Sequence, residues 1–252
     1  MGFDERFGLL TDRLGDAPDS DDPALVLAMP IVVRIEKRDP PGRQATLVAA
    51  ARAAVLLCLD EQADADGPWG DAVAAWCGAR IRKISRRARG AHWTAAQDVP
   101  GVTVAEGDGF ARAIVPGPVG DVDRRIDRLQ IGGTELEGPL EPPGVVGEAP
   151  VVLWVNPGLD MTLGKLAAQV GHGSMLAARL FDVSDARRWW EDGCPLAVAE
   201  PSEEQWADLL ARDGSDTVAV RDAGFTEVAP GSVTVIAERR RETDTPGRED
   251  GR

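Results

Sequence analysis

The run Val151-Val152-Leu153-Trp154-Val155-Asn156 is followed by Gly164-Lys165-Leu166-Ala167-Ala168-Gln169-Val170-Gly171-His172-Gly173. The first stretch is aliphatic and aromatic on successive residues, as a strand buried on both faces is. The second opens an Ala-rich segment that continues to Phe181 and has the length of a buried helix. Working outward, Asp185 to Glu191 reads as a second helix and Leu196 to Ala199 as a strand. Pro201 opens a helix whose first turn carries Ser202, Glu203 and Glu204, the charge that a helix N-terminus favours. Thr217 to Val220 and Val233 to Ile236 complete the set as strands. Strands and helices in alternation predict an α/β architecture.

The same grammar runs through the first half. Ala24 to Glu36 reads as a buried strand, with Pro30 near its start or at a bulge. Pro40-Pro41-Gly42 interrupts the chain. Helices are expected over Arg43 to Asp60, Pro68 to Gly78, Ala91 to Gln97 and Asp121 to Leu129. Strands are expected over Arg80 to Arg87, with one charged face, and over Val102 to Ala105. The halves superpose as sequences. Gly42-Arg43 falls on Gly164-Lys165 and Trp76 on Trp190. From there an offset of 114 carries Asp108 through Pro116-Gly117 onto Asp222 through Pro230-Gly231. The expected architecture is therefore two tandem small α/β units, each a mixed sheet of about four strands flanked by helices. Together they would form a pseudo-dimer within one chain, able to act as a monomer. The limits read from composition are an acidic arm over 1–23, a first unit over 24–131, a Gly/Pro linker over 132–149, a second unit over 150–237 and a charged tail over 238–252.

Composition narrows the function classes. With 252 residues, the chain has room for two cores. No stretch reaches the roughly 18–20 apolar residues that span a bilayer, and Met1 to Ala24 lacks a charged-then-apolar leader pattern, so a cytoplasmic location is expected. Cys58, Cys77 and Cys194 form no CxxC pair, and an odd count argues against a disulfide framework. Two separated histidines and scattered cysteines make no metal-ligand spacing. Neither a Walker-type loop nor a GxSxG elbow is present. A net charge of −14 opposes nucleic-acid binding at long range. One local exception is the basic run of Arg80, Arg82, Lys83, Arg86, Arg87 and Arg89.

Two stretches of the second half carry a family resemblance. Leu159 through Gly173, with Gly164-Lys165 and Ala167-Ala168-Gln169 followed by His172, is similar to the helix start of the type 2 (archaeal/eukaryotic-type) peptidyl-tRNA hydrolases. Asp222-Ala223-Gly224-Phe225-Thr226 and the following Pro230-Gly231-Ser232-Val233-Thr234 resemble the same family's second motif. The resemblance covers about residues 150–237, and two motifs at the right separation make it specific.

What the resemblance implies is hydrolysis of the ester between a peptide and the 3′ end of tRNA, with no metal or organic cofactor and with peptidyl-tRNA as the partner. Lys165 at a helix start is expected to bind a phosphate or to stabilise the charge that develops as water attacks the ester carbonyl. Asp222 is expected to orient Lys165 or activate a water. Thr234 and Thr226 carry hydroxyls suited to positioning water or carbonyl, and Gln169 and His172 follow Lys165 along the same helix. Arg82 and Arg86, in the basic run, are candidates for holding the tRNA backbone. Each has a plainer reading: a solvated lysine, a turn-forming aspartate, a core histidine, a β-favouring threonine, a charged strand face. The first half keeps Asp108 but has Leu47, Ala50 and Arg112 at the positions matched to Gln169, His172 and Thr226, so it is expected to be a degenerate copy without activity. Two other functions suit the same chain: a non-catalytic RNA- or nucleotide-binding relative, and a hydrolase of another small ester.

Overall fold

The computed structural model describes residues 2–12, 14–15, 17–132, 135–141, 149–212, 214, 216–224 and 227–240. Two mixed sheets share one strand order, and each grows outward from a strand whose side chains are covered on both faces. In the first, β1 (Leu27–Arg34) pairs parallel with β2 (Arg82–Ala88) and antiparallel with β4 (Gly109–Ile114). β4 in turn pairs antiparallel with β3 (Gly101–Glu106), and a short β5 (Gly117–Pro118) extends the edge of β1. In the second, β6 (Val151–Val155) pairs parallel with β7 (Ala197–Ala199) and antiparallel with β9 (Val233–Arg239), which pairs antiparallel with β8 (Thr217–Arg221). Two tandem α/β units, each a mixed sheet flanked by helices, are what the sequence predicted; the shared pairing directions are seen only in the structure.

Each central strand leads into the long helix of its unit, α2 (Arg43–Leu59) and α6 (Leu163–Ala177). α2 is apolar nearly all round, as a helix enclosed on every side must be. Ala49, Ala50, Ala51, Ala53 and Ala54 are fully buried, and such small side chains let the two helices approach closely. Ser174 Oγ on α6 donates to the Ala51 carbonyl at 2.7 Å. Arg52 reaches from α2 to the Gly193 carbonyl with two N–H groups, at 3.0 and 2.9 Å, and pairs with Glu106 at 2.7 Å. Gln44 donates to the Val198 carbonyl of β7. The two helices thus pack together between the sheets, and one continuous apolar core runs through both units. On the outer faces, α4 (Gly90–Ala96) and α5 (Arg124–Asp127) cover Val32 and Ile114, while α8 (Glu203–Ala211) covers Trp154 and Ile236.

Several expectations change. Pro30 stands in the middle of β1, where Ile31 to Val33 pair with β4 and Leu27 and Ala28 with β5; the residue without an N–H sits at the changeover between partners. β4 was not anticipated, because its alanines and Arg112 carry little strand preference of their own. α5 is a single turn rather than a helix over Asp121 to Leu129. Trp189, not Trp190, is the counterpart of Trp76. Both indole N–H groups donate to the carbonyl six residues downstream, Trp76 to Arg82 at 3.0 Å and Trp189 to Pro195 at 2.9 Å. The Pro-Gly match is also coincidental: Pro116-Gly117 follows β4, whereas Pro230-Gly231 precedes β9. Arg112 accordingly pairs with Val32 and Thr103, as Ile236 pairs with Trp154 and Ala219, and is no counterpart of Thr226.

The stretch read as an arm contains α1 (Phe3–Asp12), whose Phe3, Phe7 and Leu10 enter the core. Phe3 lies 5.4 Å from Trp190 on α7 (Val183–Glu191), and the nearly inaccessible Arg6 pairs with Asp64. Of the stretch read as a linker, Leu136 and Leu140 are buried and Glu141 bridges to Ala199; residues 133–134 and 142–148 lie outside the described residues. Glu238 and Arg239, read as the start of a tail, complete β9, and residues 241–252 lie outside the described residues.

Candidate active site

The site forms where β8 ends. A register shift between Val220 and Arg221 turns the chain out of the sheet at Asp222. The Asp222 N–H donates to the Ser232 carbonyl at 2.9 Å and its own carbonyl accepts from Gly231 N–H at 2.7 Å, closing the loop at its base. Gly224 sits at φ +79°, and a side chain there would start 2.5 Å from Pro230, so only glycine fits. Asp222 divides its carboxylate. Oδ1 accepts the Gly224 N–H at 2.8 Å, the bond of a turn-forming aspartate. Oδ2 accepts from Lys165 Nζ at 2.5 Å and from Gln169 Nε2 at 2.9 Å.

Lys165 and Gln169 stand one turn apart on α6, so both side chains reach the same carboxylate. Gln169 then passes the network inward, its Oε1 accepting from the hydroxyl of the fully buried Thr234 on β9. The Lys165 and Asp222 side chains are each about 10% exposed, so an ammonium and a carboxylate meet with little water to screen them. Thr162 caps α6: its Oγ1 accepts from Lys165 N–H at 3.3 Å and donates to Glu227 Oε1 at 2.7 Å, while Glu227 Oε2 accepts the Thr162 N–H at 2.9 Å. Glu227 therefore ties the loop to the helix N-terminus. A hydroxyl residue just before the helix was a legible cap signal; its carboxylate partner across 65 residues was not.

His172 departs from the expected face. It lies two turns beyond Lys165 but points to the first unit, where Lys83 Nζ on β2 stands 3.0 Å from its Nδ1. The Lys83 ammonium also sits 4.9 Å from the ring centre of Trp76, at the end of α3 (Gly70–Gly78). Burial brings Lys83 down to about 7, against the upward pull of Cys58 and Cys77. Burial, then the charges of Lys83 and Lys165, hold His172 well below the ordinary histidine range, so its ring is neutral. Thr226 lies outside the described residues.

Arg82 and Arg86 are not brought to this cluster. Strand alternation puts them on the face of β2 opposite Lys83. Arg82 pairs with Asp19 at 2.5 Å. Arg86 is buried and donates to the carbonyls of Ile126, Asp127 and Leu129, at 3.2, 2.5 and 3.1 Å, closing the C-terminal end of α5. Basic spacing flagged the strand correctly, but only the sheet register reveals which of its faces meets α6.

In chemical terms the cluster offers a shielded cation, a carboxylate with fixed orientation and a hydroxyl–amide pair that locks both. That is equipment for polarising a carbonyl and directing a water. Residues 150–242 match the family described as "Peptidyl-tRNA hydrolase PTH2". The peptidyl-tRNA hydrolase of Haloquadratum walsbyi is 41% identical over 83 residues, covering 31% of this chain and 74% of that protein. That of Methanopyrus kandleri is 35% identical over 102 residues, covering 37% of this chain and 88% of that protein. The human mitochondrial peptidyl-tRNA hydrolase 2 is 34% identical over 110 residues, covering 41% and 62% respectively.

Proposed function

This chain belongs, through residues 150–242, to the PTH2 family of peptidyl-tRNA hydrolases, and we propose that its Lys165–Asp222 site hydrolyses the ester between a peptide and the 3′ end of tRNA. The observation that carries the reading is the convergence of both resemblance motifs on one carboxylate oxygen, Asp222 Oδ2, shared by Lys165 and Gln169. In this reading a water attacks the ester carbonyl and gives its proton to Asp222, which returns it to the 3′ oxygen as that oxygen departs. Lys165 stabilises the oxyanion that forms, in a setting where a fixed charge is worth far more than in water. The ester C–O bond then breaks, leaving a peptide carboxylate and a free 3′ hydroxyl on tRNA. Thr234 acts by holding Gln169, and Thr226 remains a candidate for positioning the carbonyl.

The reading keeps residues 24–131 as a degenerate copy. Asp108 survives there, but it accepts the N–H of Gly42 at 3.0 Å, and Leu47 and Ala50 offer no amide or imidazole. The test is release of the acyl group from N-acetyl-aminoacyl-tRNA by the purified chain. Turnover by the wild type that Lys165→Ala removes, with the variant still folded, supports the reading. Folded wild type that binds tRNA without releasing the acyl group would point instead to a binding relative.

A further inference from the structure

The unit without a site of its own lays an edge strand along the helix that carries the site. Among the described residues β2 has no strand neighbour beyond β1, and it runs against α6. The Ser85 Cβ lies 3.7 Å from where a side chain on Gly164 would start, and Lys83 Cδ lies 3.2 Å from the same point on Gly171. Two glycines on one helix face thus admit a foreign strand, and Lys83 enters beside them to meet His172.

An ammonium only donates, so at 3.0 Å from Lys83 Nζ the His172 Nδ1 must be the acceptor. A neutral ring whose Nδ1 accepts carries its proton on Nε2. Lys83 is half-buried and pairs with no carboxylate among the described residues, although a cation withdrawn from water without one costs stability. The groups facing it are Cys58 on α2, Cys77 and Trp76 on α3, and His172 on α6, with Lys165 in turn acting on His172. The pseudo-equivalent contact has none of this chemistry. Matching Ile31–Ser85 pairing with Leu153–Val198 pairing puts Leu196 in the place of Lys83, and the helix starts put Ala50 in the place of His172; both are buried and apolar.

We infer that Lys83 is a positioning residue of the hydrolytic site, donated by the N-terminal unit, and that it fixes His172 as the Nε2–H tautomer on the helix that presents Lys165. The inference rests on the hydrolase reading and gives the first unit a task in it. Lys83 touches no reacting atom. It sets which ring nitrogen of His172 carries a proton, and His172 in turn lies within reach of the Lys165 charge. Because Lys83 exchanges its proton near neutrality, the tautomer constraint relaxes as pH rises through that range.

The chain has two histidines, so long-range ¹H–¹⁵N spectra of the full-length protein resolve them, with His92→Gln assigning the other. The wild type is expected to show a neutral His172 with an unprotonated Nδ1 at pH 6.5, and a change in that signal centred near 7. Lys83→Met is expected to mix the tautomers, erase the change and lower kcat by on the order of 10- to 100-fold at constant KM. Lys83→Arg, which donates but does not titrate in this range, is expected to keep the tautomer and most of kcat while losing the inflection. Near-ultraviolet circular dichroism verifies that each variant is folded. If a folded Lys83→Met variant keeps the wild-type tautomer, kcat and pH profile, the inference is overturned and the hydrolase reading stands. If folded wild type releases no acyl group, the reading itself fails and takes the inference with it.

Discussion

At the scale of single residues, the site is a short relay of hydrogen bonds that ends in the core. Thr234 is fully buried and donates a hydrogen bond to Gln169 Oε1, which leaves the Gln169 NH2 free to aim at Asp222. Thr234→Val keeps the shape and strands the Gln169 oxygen, so unfolding in urea at pH 7 should show a loss of about 1–3 kcal/mol, with Thr234→Ser recovering most of it. Lys83 makes a second prediction through linkage. Its folded-state value of about 7 lies below its ordinary 10.5, so above pH 7 the unfolded chain holds a proton that the folded chain has released. Stability relative to Lys83→Met should therefore be lowest below pH 7 and rise steadily from pH 7 to beyond 9, a difference measured by matched denaturation curves. His172, held down likewise, withdraws stability as pH falls below its ordinary 6.5. Lys165, Asp222, Gln169 and Thr234, which the two motifs single out in the sequence, meet in one hydrogen-bonded cluster. The direction of His172 was not legible in the sequence, since it depends on a lysine 89 residues away.

Elements decide whether those residues meet. The loop from Asp222 to Ser232 is shaped by Gly224, whose positive φ and contact with Pro230 exclude a side chain. Gly224→Ala should lower stability by at least about 1–3 kcal/mol from strain and overpacking. It should also reduce hydrolysis more than the stability loss accounts for, because Asp222 loses its turn; thermal melts and turnover on the same sample separate the two. The sequence made the apolar central strands and the long helices plain, since continuous burial leaves a continuous apolar record. It hid β4, whose small residues become a strand only between β1 and β3. It also suggested a Pro-Gly repeat that the two sheets do not share. In the first unit a tight turn at Gly107 and Asp108 joins β3 to β4, while in the second a long loop occupies the same place and builds the site. Local pattern records what a segment buries; it does not record which neighbour supplies the cover.

For the whole molecule, the two similar units share one interior. α2 and α6 lie between both sheets, α1 spans to α7, and Arg52 and Gln44 bond across the units. Guanidinium unfolding should therefore give one transition, coincident by far-ultraviolet circular dichroism and tryptophan fluorescence, since neither unit can expose its long helix alone. Two separated transitions would mean that the units are independent. On the proposed reading, the second unit carries the hydrolytic site, and the first covers its helix and lends it Lys83. The central claim, that Asp222 Oδ2 is the chemical heart of the site, is tested most directly by acyl release from N-acetyl-aminoacyl-tRNA with Asp222→Asn beside the wild type. The account predicts steady turnover by the wild type and a fall in kcat of about 10²–10³-fold or more in a variant that melts cooperatively. Equal rates from the two folded proteins would contradict it.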